Sequence, residues 1–128
     1  MIAIGTKGRV ERRVTKAMLA KTMASGALEV LATPIMIAFM EEAAQNAIAP
    51  LLPQGQTSVG SKLNIEHLSP TPEGMLVWAQ CEVTGVEGRH VRFDVTAGDS
   101  QGLIGRGTHE RVVVDAERFL QKCRGKME

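Results

Sequence analysis

Aromatic residues are scarce in this sequence of 128 residues. Three phenylalanines, one tryptophan and no tyrosine make up 3% of the chain. Proteins that bind single-stranded nucleic acid stack the bases on aromatic side chains, so this chain lacks the means to build such a surface. Its 15 basic and 14 acidic residues leave a net charge of +1, too small for a strong field toward nucleic acid or a membrane. We expect neither as a partner.

Cysteine is also rare. Cys81 and Cys123 lie far apart and match no metal-binding or redox spacing. Such cysteines are typical of a chain whose thiols stay reduced, so we expect a cytoplasmic location. The first residues do not combine a charged start with a long apolar stretch, so no signal peptide is predicted.

No apolar run is long enough to span a membrane. The run from Ile35 to Met40 ends at Glu41, far short of the roughly 20 residues that a span requires. With 44% hydrophobic residues in the chain, this run belongs in a protein core. The length predicts one domain, residues 1–128.

The apolar run predicts a long core helix. Thr33 is a suitable N-cap, and Pro34 fits the first helical position, where its missing N–H costs nothing. From Ile35 to Met40 every side chain is apolar, so we expect no solvent-exposed face there. Pro50 and Pro53 are expected to end the helix.

The rest of the chain predicts an antiparallel sheet. Strands are expected over residues 8–14, 57–68, 75–84, 89–97 and 103–115, joined mostly by tight turns. Residues 15–23 suit either more strand or a short helix. Asp115 is expected to cap a short amphipathic helix that carries Phe119 and Leu120 on its apolar side. The fold class is therefore α+β, with one helix held against a sheet.

Strand alternation predicts which residues face the helix. In the strand over 57–68 one face carries Val59, Ser61, Leu63, Ile65 and His67. Two later strands place apolar residues on one face, and these are Met75, Val77, Ala79, Cys81 and Val83 in the first and Val91, Phe93, Val95 and Ala97 in the second.

Two polar groups stand out near the helix. Thr33 and Glu41 are eight positions apart on it and can face the same groove, although Thr33 also suits a simple cap and Glu41 can mark where the helix meets water. His67 ends its strand beside a proline-rich loop, either as a partly buried structural histidine or as a group that moves a proton.

The segment His109-Glu110-Arg111 is a third candidate. Alternation places His109 and Arg111 on one face of the strand. The charged segment is either exposed to solvent or part of a cross-strand ion pair, or else Arg111 binds an anion. The glycines at 102, 105 and 107 lie along a strand and predict bulges or close backbone approach, not a nucleotide loop. Three dispersed histidines support no metal site.

Several of these segments, taken in order, resemble one family. They are Ala32-Thr33-Pro34, Glu41 eight residues after the threonine, residues 57–60 leading to His67, and residues 107–111. Together they resemble the fluoroacetyl-CoA thioesterase-like branch of the hotdog-fold thioesterases, over roughly residues 27–115. The combination is more specific than any single segment.

The resemblance implies a fold, an assembly and a reaction. One long helix is wrapped by a five- or six-stranded antiparallel sheet, and the unit is a homodimer, or a higher oligomer, with active sites at the subunit interface. The reaction is hydrolysis of an acyl-CoA thioester to a carboxylate and CoA. It needs no metal and no cofactor, since CoA is part of the substrate.

The resemblance also assigns residues. Thr33, Glu41 and His67 match the catalytic set, with Glu41 acting as nucleophile or general base. Substrate-binding positions are Gly60, Arg111, Phe39 and Met36, and possible contacts for the CoA phosphates are Lys62, Arg89 and Arg111. The helix lining is rich in methionine and poor in aromatics, which favours a short- or medium-chain acyl group over fluoroacetyl. Two alternatives remain open, a non-catalytic acyl-CoA-binding module and a hydratase or dehydratase on the same fold.

Overall fold

The computed structural model describes all 128 residues. Its strands are β1 (Lys7–Arg13), β2 (Gln56–His67), β3 (Leu76–Glu87), β4 (His90–Asp99) and β5 (Gly102–Asp115). Its α-helices are α1 (Ala20–Met23), α2 (Thr33–Ile48) and α3 (Ala116–Arg124), and short 3-10 turns occupy Lys16–Met18, Ala49–Leu51 and Gly125–Met127. Residues 15–23, left undecided by the sequence, are therefore helical in part.

The five strands form one antiparallel sheet in the order β1-β3-β4-β5-β2. The predicted α+β class is confirmed, with five strands rather than six. Helix α2 lies across one face of this sheet, and β1 and β2 are its edge strands. No helix is long and apolar enough to cross a membrane.

Helix α2 begins one residue earlier than predicted. Ala32 occupies the N-cap position, Thr33 is the first helical residue, and Pro34 lies in the first turn. The prediction that Thr33 caps the helix is wrong. Ala32 occupies the cap position, and the Thr33 hydroxyl makes its hydrogen bond with a residue of β2 instead. The helix ends at Ile48, two residues before Pro50, as the proline predicted.

One face of α2 is buried against the sheet. Its buried residues are Met36, Phe39, Met40, Ala43, Ala44 and Ile48. The expectation that the first half of α2 has no solvent-exposed face is wrong for the single chain. Ala38 is exposed and Ile37 is half-buried, because the sheet covers the helix from one side only.

The inner faces of β3 and β4 follow the predicted alternation. The residues Val77, Ala79, Cys81, Val83, Val91, Phe93, Val95 and Ala97 are all buried in one core with the helix. Gly105 of β5 also packs closely against α2, since a Cβ there would lie 2.5 Å from the Met36 sulfur. This confirms close backbone approach at that glycine.

The face assignment of β2 is wrong in its first half. The register against β5 shifts between Gly60 and Lys62, so Ser61 is an extra residue in a β-bulge. A bulge shifts the alternation by one residue. Ser58 and Gly60, rather than Val59 and Ser61, therefore share the helix-facing side with Leu63, Ile65 and His67.

The C-terminal helix follows Asp115 as predicted, although the Asp115 side chain makes no capping bond. Phe119 and Leu120, on its apolar side, are 43% and 46% exposed. This helix contributes nothing to the buried core.

Candidate active site

The first turn of α2 meets the last residue of β2. Thr33 Oγ1 lies 2.7 Å from His67 Nδ1, which is within hydrogen-bond distance. The two residues are far apart in sequence, and the sheet register brings them together because His67 pairs with Gly105, the glycine that packs under α2. The contact explains why the Thr33 hydroxyl is not used as a cap.

His67 has a second ring nitrogen with no partner. Its Nε2 atom is buried and makes no hydrogen bond. Burial lowers the pKa of His67 below its ordinary value, and a backbone interaction with Ser69 opposes this in part. The imidazole is therefore neutral near pH 7. A buried polar atom without a partner costs about 1–3 kcal/mol, and such atoms in a cleft are typical of functional sites.

A cavity opens beside this pair. It has a volume of about 300 Å³, and we call it the Thr33–His67 cavity. Its other lining residues are Ala20, Ser25, Val30, Leu31, Leu68, Ser69 and Pro70. Most of these are apolar or small, so the cavity suits an apolar group whose reactive end lies near the hydroxyl and the imidazole.

Glu41 lies about 12 Å further along α2, as eight residues at 1.5 Å each require. Its side chain is 38% exposed, and its Oε2 atom is 3.8 Å from Nη1 of Arg111. A Cβ at Gly60 would lie 2.5 Å from the same carboxylate oxygen, so only glycine leaves room for Glu41 in this position.

A second cavity of about 410 Å³, the Glu41 cavity, lies here and is lined by Ala38, Glu41, Glu42, Gln45, Asn46 and Arg111. The structure therefore does not bring the three predicted catalytic residues into one cavity of a single chain. Thr33 and His67 lie in one, and Glu41 lies in the other.

Arg111 is a buried cation. It is 5% exposed, its Nε donates to Ser58 Oγ at 2.8 Å, and its Nη2 donates to the Ser58 carbonyl at 3.0 Å. Burial lowers the pKa of Arg111 and the Glu41 carboxylate opposes this, so the guanidinium stays charged. The interpretation of 109–111 as a solvated face is wrong for Arg111 and His109, which are both buried.

Only some of the residues predicted to bind the substrate lie at one of the two cavities. Gly60 faces the Glu41 carboxylate, whereas Met36 and Phe39 belong to the core under α2 and line neither cavity. Packing within the single chain therefore does not support their predicted contact with the acyl group. Lys62 and Arg89 are exposed, each 3.9 Å from an acidic side chain.

Sequence reasoning missed one member of the Glu41 group. Simple alternation separates Ser58 from the face that carries His67, whereas the bulge at Ser61 brings Ser58 to that face, where it holds the guanidinium of Arg111. His109 was recognised as sharing a face with Arg111, and the structure places them in contact. No group of three or more metal-ligating side chains occurs in the structure.

Solved structures show what class of protein has this architecture. The fluoroacetyl-CoA thioesterase FlK superimposes with a TM-score of 0.93 at 32% identity, over 98% of each chain. A variant of FlK in complex with fluoroacetate and CoA matches with a TM-score of 0.87 at 33% identity, over 92% of this chain and 99% of that one. A thioesterase superfamily member from Thermus thermophilus matches with a TM-score of 0.91 at 29% identity, over 99% and 94%. The fold is that of the hotdog thioesterases.

Sequence comparison narrows the class to a family. Residues 14–117 match the model of the family described as fluoroacetyl-CoA-specific thioesterase. The fluoroacetyl-CoA thioesterase of Streptantibioticus cattleyicolor is 42% identical over 98 residues, which cover 77% of this chain and 70% of the relative. The chain belongs to the fluoroacetyl-CoA-specific thioesterase family, which confirms the resemblance that the sequence motifs indicated.

Proposed function

We propose that this chain hydrolyses a short- or medium-chain acyl-CoA thioester to a carboxylate and free CoA. Family membership makes it a thioester hydrolase, and the proposal concerns the substrate and the residues. The observation that carries the proposal is the Thr33–His67 pair at 2.7 Å. This pair places a hydroxyl and a neutral imidazole, whose Nε2 has no hydrogen-bond partner, at a partly apolar cavity.

The imidazole of His67 supplies proton transfer. Nucleophilic attack on the thioester carbonyl carbon moves the C=O electron pair to oxygen, and collapse of this intermediate breaks the C–S bond. The departing CoA thiolate then takes a proton. A histidine that is neutral near pH 7 can accept a proton from attacking water and return it to the thiolate, with Thr33 holding the ring in place.

Glu41 acts in one of two ways in this proposal. As a nucleophile it forms a mixed anhydride with the acyl group and releases CoA, and water then hydrolyses the anhydride. As a general base it takes a proton from water that attacks the thioester directly. Backbone amides at the N-terminus of α2, or near Gly60, are suited to hold the negative oxygen.

We propose a homodimer because the predicted catalytic residues lie in two cavities. A second copy of the chain can set the Glu41 cavity of one subunit beside the Thr33–His67 cavity of the other. An unpaired edge at β2, with Leu63 39% exposed, and the exposed Ala38 on α2 support a subunit contact on this side. Light scattering on the purified protein tests the assembly, and a monomer that is fully active contradicts it.

The substrate class rests on the size and chemistry of the Thr33–His67 cavity. A volume of about 300 Å³, with four hydrophobic residues among the nine that line it, suits a short or medium acyl chain. The complex of a related FlK variant with fluoroacetate and CoA supports CoA as the carrier, and Lys62 and Arg89 are available for its phosphates. The proposed reaction uses no further cofactor. The free thiols Cys81 and Cys123 support a cytoplasmic location.

A thiol-release screen tests the proposed function. The panel runs from acetyl-CoA through medium and long chains to aryl-CoA and includes fluoroacetyl-CoA. We expect the highest kcat/KM on a short- or medium-chain substrate, and no measurable release by His67→Ala or Glu41→Ala with an unchanged circular dichroism spectrum.

Three outcomes contradict the proposal. Acyl-CoA binding without thiol release indicates a binding module. Loss of the enoyl absorbance of crotonyl-CoA without thiol release indicates a hydratase. Full activity in both alanine variants contradicts the assigned roles.

A further inference from the structure

His109 is a buried polar side chain near Glu41 with contacts on both ring nitrogens. It is 1% exposed, and its ring stacks on Phe93 with centroids 5.8 Å apart. Its Nδ1 atom lies 2.9 Å from the carbonyl oxygen of Lys62. A carbonyl oxygen only accepts hydrogen bonds, so Nδ1 carries the hydrogen and donates it.

The other ring nitrogen is committed to Arg111. His109 Nε2 lies 3.1 Å from Arg111 Nη1, and a guanidinium only donates, so Nε2 accepts. Two contacts of opposite polarity therefore select one neutral tautomer of His109. A protonated ring would lose the acceptor and would set a second positive charge against Arg111.

Arg111 is in turn fixed on all its nitrogens. Nε and Nη2 are held by Ser58, and Nη1 lies between His109 Nε2 at 3.1 Å and Glu41 Oε2 at 3.8 Å. Gly60 packs against the same group, since a Cβ there would contact both the Glu41 carboxylate and the His109 ring. Ser58 and His109 together therefore orient the cation next to Glu41, and His109 provides the only acceptor within hydrogen-bond distance of Nη1, the nitrogen nearest the carboxylate.

We infer that His109 is a positioning residue, which holds the Glu41 carboxylate in its reactive place through Arg111. This inference rests on the proposed role of Glu41. His109 touches no reacting group itself, and its contribution is to keep the guanidinium aimed at the carboxylate.

Protonation of His109 opposes this arrangement. The charged groups that face it are Arg111, Glu41 and Glu110. Burial is the main cause that lowers the pKa of His109, and the charge of Arg111 adds to it, whereas the Lys62 carbonyl and the two carboxylates oppose it. His109 therefore stays neutral at pH 7, and the arrangement is lost only as the pH falls below the ordinary histidine value.

Three variants separate positioning from mere packing. His109→Leu removes the acceptor, whereas His109→Gln keeps a side-chain oxygen that can accept from Arg111. His90→Leu is the matched control at an exposed strand position. We expect His109→Leu to lower kcat about 10- to 100-fold, as misplaced catalytic groups do, with KM little changed. His109→Gln should retain most of kcat, and the control should behave as wild type.

Two kinetic outcomes overturn the inference. The first is wild-type kcat in His109→Leu while Glu41→Gln is inactive, which leaves the proposed function standing. The second is that His109→Leu and His109→Gln lose the same amount of kcat and the same amount of Tm, which indicates that His109 contributes packing alone.

NMR of ¹⁵N-labelled histidine provides a readout that does not depend on activity. We expect hydrogen on Nδ1 of His109, and a further fall in the pKa of His109 in Glu41→Gln, because the carboxylate that favours the imidazolium is gone. Hydrogen on Nε2, or a titration that Glu41→Gln leaves unchanged, overturns the inference. If the wild type releases thiol from no acyl-CoA, the proposed function fails, and this titration alone decides whether His109 and Glu41 are coupled.

Discussion

Thr33 Oγ1 and His67 Nδ1 lie 2.7 Å apart, although 34 positions separate the two residues in the chain. The contact joins the first residue of α2 to the last residue of β2. A capping threonine would have satisfied a backbone amide of its own helix. This one is instead directed at an imidazole, whose other nitrogen, Nε2, has no hydrogen-bond partner.

Replacement of the Thr33 hydroxyl should reduce activity without unfolding the protein. Thr33 is exposed and packs little, so Thr33→Val removes the bond to His67 at small cost in stability. We expect kcat for thiol release to fall about 10- to 100-fold, in line with the loss of orientation of a general base. Thr33→Ser, which keeps the hydroxyl, should retain most of kcat.

Thr84→Val provides a matched control for Thr33→Val, since Thr84 is an exposed strand residue that lines neither cavity. Wild-type kcat in Thr33→Val would show that His67 needs no partner on Nδ1.

Activity should fall on the acid side through His67. Burial lowers the pKa of this group below its ordinary value of 6.5, so the base is neutral at pH 7 and is lost only as the pH falls through the lowered value. A profile of log(kcat/KM) against pH should therefore be flat near neutrality and decline below pH 6.5. A decline that begins above pH 7 would contradict the direction of the shift.

The same direction predicts how stability depends on pH. His67 and His109 both have a lowered pKa in the folded state, so the unfolded chain binds more protons between that value and 6.5. Stability is then fully present above pH 6.5 and is lost as the pH falls toward the folded values. Urea unfolding at pH 7.5, 6 and 5 should show this loss, and it should be smaller in His109→Gln. If the free energy of unfolding falls equally with pH in the wild type and in His109→Gln, His109 does not contribute to the loss.

Much of the fold was predictable because its signals are local. Pro34 and Pro50 mark the ends of α2 within two residues, and the apolar alternation of β3 and β4 identifies the core face directly. The errors arose where distant parts of the chain decide. The Thr33 hydroxyl has a nearby amide and a distant imidazole as possible partners, and only the sheet register shows that the imidazole is in reach.

The Glu41 group illustrates the same limit. The bulge at Ser61 reverses the face of Ser58 and Gly60, and nothing in the local sequence specifies a bulge at that residue. The sequence also could not predict that Glu41 and His67 line two different cavities. Helix geometry gives the distance between Thr33 and Glu41 along α2, but not which other elements pack beside each of them.

Gly60→Ala should reduce activity with little loss of stability. The added Cβ would lie 2.5 Å from Glu41 Oε2, the mobile end of a half-buried side chain that can move aside cheaply, and 3.3 Å from the His109 ring, which a shift of a few tenths of an ångström accommodates. The carboxylate is then displaced from Arg111, so kcat should fall about 10- to 100-fold while the urea midpoint changes little.

Gly125→Ala is the matched control for Gly60→Ala, because no atom lies within 4 Å of a Cβ placed there and its backbone is helical. If Gly60→Ala keeps full activity, the observed position of the Glu41 carboxylate is not required for the reaction.

A buried pair that includes the loop after His67 should matter for stability. Thr71 is fully buried and donates its hydroxyl to Asp99 Oδ2 at 2.8 Å, while Asp99 Oδ1 accepts from the Gln101 amide. The Thr71 carbonyl also accepts from the Leu31 amide, two residues before Thr33. The side-chain pair thus fastens the loop that follows His67 to the end of β4, and the Thr71 carbonyl joins the same loop to the segment that leads into α2.

Thr71→Val keeps the shape of the side chain and leaves a buried carboxylate short of one hydrogen bond. We expect the free energy of unfolding to fall by about 1–3 kcal/mol, measured by urea unfolding at pH 7.5, and Thr71→Ser to restore most of it. Because Thr71 lies in the loop that follows His67 and bonds to Leu31, two residues before Thr33, a shift of this loop should lower kcat for thiol release in the valine variant as well. A valine variant as stable as wild type would show that Asp99 finds another donor, and that the loop is held by the Leu31 backbone bond alone.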